Sequence, residues 1–218
     1  MTHNETKKIP SGSRIFLESL NQIINDGKRV SLATITPEQY RALESFSLIK
    51  AKEFISRLSN HVKIEPPSVT VWYGDYDEMR TVAQYTKKQI ILRQRTNSDA
   101  KIIAATLAHE FCHYYIDLKN LFIDGENINK NERLVDLTAI LLGFGEILIN
   151  GKIRSRRSDS FLGYLEIDAC LIAYSDFGEL NNISKEELYS GLDIDMGYAK
   201  GKLKEKLMRL LSKITDKK

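Results

Sequence analysis

Hydrophobic positions change period four times along the chain. From Ser13 onward, Ile15, Phe16, Leu20, Ile23 and Ile24 recur at helical spacing until Asp26-Gly27 stops them. Val30 to Ile35 reads as a short strand. Thr36-Pro37-Glu38 then opens a second helix, because threonine caps, proline suits the first helical position and an acid favours the positive end of the dipole. That helix carries Leu43, Phe46, Leu48, Ile49, Phe54, Ile55 and Leu58 and ends near His61, ahead of Pro66-Pro67. The period shortens at Val69 to Tyr73, Thr81 to Tyr85 and Gln89 to Gln94, three strands separated by a turn at Gly74–Asp77 and a hairpin at Lys87-Lys88. It lengthens again in a helix from Asp99 to Leu118, capped by Asn97 or Ser98, and in another from Asn131 to Ile149, closed by Asn150-Gly151. Residues 151–159 read as a basic loop, and helices follow near 161–174, 184–189 and 196–213, the middle one opening on a Ser184…Glu187 capping box. The predicted fold is α+β, a small sheet set between helical segments. The chain divides into a leader over 1–12, a helical segment over 13–66, a core over 67–150 and a helical part over 151–218 that forms one compact unit with the core.

Composition narrows the class. A chain of 218 residues with 42% hydrophobic and 28% charged positions has material for a sizeable core. Basic and acidic residues nearly balance, 32 against 29, so overall charge selects no polyanionic partner. Cys112 and Cys170 are too few for a disulfide framework. No apolar run approaches the roughly 18–20 residues of a membrane helix, and the first residues, MTHNETKKIPSGS, lack a signal peptide's apolar stretch. The expectation is a soluble, cytoplasmic protein without a membrane span. Two basic clusters stand apart: Lys152, Arg154, Arg156 and Arg157, and a C-terminal amphipathic segment over Lys200–Lys218 with Leu203, Leu207, Leu210 and Leu211 on its apolar side. Nucleic acid or an acidic partner is the functional reading of these clusters; a docked helix with a solvated face is the plainer one.

The chemistry concentrates in His109-Glu110-Phe111-Cys112-His113, an HExxH pattern. Positions i and i+4 of a helix share a face, so both imidazoles reach one cation from a single rigid element. Glu110 projects beside that face, where a carboxylate can take a proton without ligating the metal. A catalytic zinc needs a third protein ligand, and neither His3 in the leader nor His61 before Pro66 is placed to serve. The next helix offers Glu132 and Asp136, again i and i+4, which suits one carboxylate for the metal and the other for a ligand histidine. Ala139 and Gly143, further along that face, permit close approach to the HExxH helix. Cys112 and Cys170 read as small buried hydrophobes.

HExxH followed by ExxxD resembles the gluzincins, the zinc metallopeptidases that include thermolysin. The resemblance implies a zincin-like fold with one Zn2+ held by His109, His113 and Glu132, Glu110 as general base and Asp136 as the partner of His109. From Val69 to about Tyr174, roughly half the chain, the sequence more closely resembles a group of uncharacterised bacterial proteins with HExxH, a helix reading ExxxDLxxxxLGFG and a later GYL. Those pieces here are HEFCH, ERLVDLTAILLGFG and Gly163-Tyr164-Leu165. Thermolysin-like enzymes use a histidine or tyrosine to hold the developing oxyanion; no histidine follows His113, so Tyr164, another tyrosine or an arginine is left for that role. Gln89 to Gln94 is the candidate sheet edge for pairing with an extended substrate, with an internal strand as the alternative. The expected function is a zinc-dependent peptidase acting on a peptide or protein substrate, a narrow-specificity intracellular regulatory protease. The competing expectation is a non-catalytic zinc-binding interaction protein whose basic surfaces hold an acidic partner or nucleic acid.

Overall fold

Residues 13–45, 47–72, 83–86, 88–93, 99–121, 128–155 and 165–193 are described in the computed structural model. Helix α1, Ser13–Asn25, ends where Asp26 and Gly27 take left-handed backbone, with φ of 52° and 67°. Helix α2, Pro37–Glu44, opens on the expected cap: Gln39 N donates to Thr36 Oγ1 at 3.4 Å and Thr36 N donates to Gln39 Oε1 at 2.9 Å. The single helix predicted on to His61 is in fact two. Ser47 adopts extended backbone and its Oγ accepts from Lys50 N at 3.3 Å, starting α3, Leu48–Val62, afresh. Val30 to Ile35 joins no strand ladder among the described residues. It is a strap instead, held by Val30 N to Asn181 Oδ1 at 2.6 Å and Ala33 N to Gly143 O at 3.0 Å.

The sheet comprises β1, Ser68–Trp72, β2, Ala83–Thr86, and β3, Gln89–Arg93, in the order β1-β3-β2. β2 and β3 form the expected hairpin, Thr86 opposite Gln89, with Lys88 at φ 67° in the turn; β1 and β3 run parallel, Val69 opposite Ile90. β3 is therefore the middle strand, and Ile90 and Leu92 are fully buried. The edge facing the HExxH helix is β2.

Helix α4, Ala100–Leu118, starts on Asp99, whose side chain accepts from Lys101 N at 2.8 Å; Asp99 is the cap itself and not a residue of the first turn. Nearly every α4 side chain is buried, because helices and sheet surround it. The predicted helix over Asn131–Ile149 is instead a bent pair. Helix α5 spans Ile128–Ala139, a π-helical segment spans Ile140–Phe144, and α6 spans Gly145–Ser155. Asn150-Gly151 does not end it. Asn150 is occupied elsewhere, donating to Gly191 O at 2.8 Å and accepting from Asp193 N at 2.7 Å, so the helix runs on through buried Gly151. The break falls at Gly143, with φ 86°, where a Cβ would run into the Ser31 carbonyl; this glycine meets the strap, not the HExxH helix. By length and composition alone residues 131–155 could cross a membrane, but their most apolar 18-residue window is 89% buried within the protein, as in the core helix of a folded domain. Helix α7, Ile167–Asn181, and α8, Lys185–Tyr189, follow, the latter with Glu187 N donating to Ser184 Oγ at 3.1 Å. Buried side chains from Leu17 to Leu192 form one continuous cluster, with Cys112 and Cys170 inside it as free thiols. Tyr164, Arg156, Arg157 and the C-terminal basic segment lie outside the described residues.

Candidate metal centre

His109 and His113 project from consecutive turns of α4, their rings 5.0 Å apart between centroids and nearly perpendicular. Glu132 of α5 meets both. Its Oε2 lies 3.0 Å from His109 Nε2 and 3.3 Å from His113 Nε2. Two donors each about 2.0–2.1 Å from a tetrahedral zinc are roughly 3.3 Å apart, so this spacing is what a shared cation requires. His109, His113 and Glu132 are the three-residue group of potential ligands found among the described residues, their donor atoms all within 4.8 Å of one another. Two neutral imidazoles and a carboxylate are a donor set that fits zinc.

Asp136, one turn along α5 from Glu132, reaches the far side of His109, with Oδ1 2.9 Å from Nδ1. A carboxylate only accepts, so Nδ1 carries the proton and Nε2 presents its lone pair toward Glu132 and His113 when the ring is neutral. Burial pushes the His109 imidazolium toward neutrality, but the bonds to Asp136 and Glu132 outweigh it and raise the pKa to about 10. Burial likewise pushes Glu132 up, and the two histidines more than reverse it, taking the carboxyl down to about 2. Both shifts favour the charged His109–Glu132 pair.

Glu110 is buried beside the histidines, and burial raises its pKa, partly offset by His109 and His113. Its Oε2 accepts the backbone N–H of Tyr85 at 2.6 Å. Tyr85 clamps β2 to the same face of α4 in two further ways. Its ring stacks parallel to His113, 6.3 Å between centroids, and its hydroxyl donates to Asp117 Oδ2 at 2.6 Å. Sequence reasoning missed Tyr85, since a strand tyrosine carries no local mark of what it covers.

It also misread Lys152 and Arg154, placed in a basic loop. Both belong to α6: Arg154 pairs with Asp193 at 3.1 Å, and Lys152, 3% exposed, pairs with Asp136 Oδ2 at 3.2 Å. The available signal was a lysine between the apolar Ile149 and Ile153, which burial permits only with a partner. The structure thus brings His109, Glu110, His113, Glu132 and Asp136 together. No family model, curated protein or solved structure matches the chain.

Proposed function

We propose that the chain is a zinc-dependent hydrolase of gluzincin type with a zincin-like core, acting on peptide bonds of a narrow set of protein substrates. The observation that carries this reading is the convergence of His109 Nε2, His113 Nε2 and Glu132 Oε2 beside a buried carboxylate that is not one of the three. A purely structural site has no use for that carboxylate. Zinc held by the three residues supplies Lewis acidity, lowering the pKa of water and polarising a carbonyl. Glu110 then serves as the base. Tyr85 N–H fixes its Oε2, which leaves Oε1 to take a proton and later return it to the leaving amine. Its upward-shifted pKa brings its basicity closer to that of a base working near neutrality. Asp136 holds the His109 ring and its tautomer. β2, and not β3, is the sheet edge beside the site, and its Tyr85 N–H is engaged by Glu110 rather than offered to a substrate. Of the basic residues behind the interaction-protein alternative, Lys152 and Arg154 pair with Asp136 and Asp193, while the others lie outside the described residues.

The test is metal analysis of the parent beside Glu110→Gln, followed by cleavage of an unbiased peptide library. One zinc per chain in both proteins is expected, with turnover lowered by a factor of about 100 or more in the variant. Full zinc binding by His109→Ala and His113→Ala would refute the site, and equal turnover by Glu110→Gln would refute the mechanism.

A further inference from the structure

Asp136 is wholly buried and carries a charge, and its two oxygens are divided between different tasks. Oδ1 faces His109 Nδ1 at 2.9 Å, whereas Oδ2 accepts from Lys152 Nζ at 3.2 Å and from Leu165 N at 2.8 Å. Lys152 Nζ donates in turn to Leu165 O at 2.9 Å, so the lysine and the residue-165 backbone close a ring around one carboxylate oxygen. The pairing is not an accident of neighbouring turns. Sixteen residues of straight helix would set Asp136 and Lys152 about 24 Å apart, beyond the reach of their side chains. Only the bend at Gly143 brings α6 back to α5. A buried ammonium needs such a partner, and a buried carboxylate that must orient a histidine needs its other oxygen tied down.

We propose that Lys152 is a positioning residue for the metal centre: by neutralising Asp136 and fixing its Oδ2, it aims Oδ1 at His109 and holds Nε2 of that ring in register with His113 and Glu132. The inference rests on the zinc reading above. It makes a prediction of sign. If Lys152 acted only as a nearby positive charge, removing it would tighten binding of a dication; as a positioning residue, its removal weakens binding.

The experiment measures Zn2+ affinity by competition with a chromophoric chelator for the full chain, Lys152→Met, Asp136→Asn and the double variant, with circular dichroism of each metal-free protein. Loss of outer partners of a ligand histidine costs 10–100-fold in metal affinity, and Lys152→Met is expected to lose about tenfold. In the Asp136→Asn background the same change is expected to alter affinity less than twofold, because its route runs through Asp136. Unchanged or tighter binding by Lys152→Met, or an equal loss in both backgrounds, overturns the proposal. Should Lys152→Met fail to fold, folding of the double variant supports the route through Asp136, and its failure overturns it. A parent that takes up no Zn2+ defeats the zinc reading and this inference together; a zinc-binding parent matched by Lys152→Met defeats this inference alone.

Discussion

The nitrogen of His109 that faces Glu132 is also the one a metal would use, and its protonation governs the expected pH behaviour of the metal-free protein. His109 binds its proton more tightly in the folded chain, at about 10 against an ordinary 6.5. The stabilisation this represents is complete below 6.5 and is lost as pH rises toward about 10. Glu132 runs the other way. With its carboxyl at about 2 against 4.5, its contribution is complete above 4.5 and is lost as pH falls toward about 2. The two shifts share the His109–Glu132 contact, with Asp136 adding to the first and His113 to the second, so the metal-free protein is expected to be most stable between about 4.5 and 6.5, declining on the alkaline side by roughly 1 kcal/mol per pH unit. Zinc at this site, as proposed above, would take the proton's place, and the alkaline decline should then flatten. Urea midpoints from pH 5 to 9, with chelator and with zinc, check this; a metal-free midpoint that does not move with pH would count against the geometry of the pair. Tyr85 offers a separate test. Tyr85→Phe removes the hydroxyl's bond to Asp117 and its contact with the Lys88 backbone, and is expected to cost about 0.5–1.5 kcal/mol in denaturant unfolding, with zinc affinity held within twofold.

At the scale of elements the bend at Gly143 decides how the site is assembled. Three consecutive carbonyls there accept from distant donors: Leu141 O from Asn25 Nδ2 at 3.0 Å, Leu142 O from His61 Nε2 at 3.1 Å and Gly143 O from Ala33 N at 3.0 Å. Gly143→Ala meets a left-handed backbone and the Ser31 carbonyl at once, and is expected to cost at least about 2 kcal/mol in denaturant unfolding. It should also weaken Zn2+ binding, since the bend delivers Lys152 to Asp136. An alanine variant as stable as the parent would show that the bend is not needed. The same region marks where the sequence ceases to be readable. Caps at Thr36 and Ser184, the β2–β3 hairpin and the i, i+4 histidine pair depend on neighbours within a few residues, and each is visible in the chain. Apolar residues through 140–149 look like one unbroken helix, because the bend is fixed by Asn25, Ala33 and His61 from remote segments. Lys152 looked like loop because its partner is 16 positions away. Likewise β3 shares its apolar run with many edge strands, and only its pairing on both sides places it in the middle.

Across the whole molecule the candidate ligands join two elements, α4 and α5. His109 and His113 stand on the central helix α4, nearly all of whose side chains are already held by the core. Glu132 stands near the start of α5, where Asn131 and Glu132 are partly buried and Arg133 is exposed. The two ends of the site therefore differ in how firmly apolar burial holds them, and a metal that bridges them adds most to the looser one. Mass action fixes the size of the effect: zinc at 100 times its dissociation constant stabilises the folded state by about 2.7 kcal/mol, roughly 5–10 °C in Tm for a chain of this size. Its distribution is the sharper test. Hydrogen exchange should slow most in the first turns of α5 and at the Tyr85 amide, and change little in the middle of α4, which is protected without metal. In His109→Ala and His113→Ala both the Tm shift and the α5 protection should vanish. A zinc-induced shift that survives in those variants would place the bound ion elsewhere on the molecule, and α5 would then owe nothing to it.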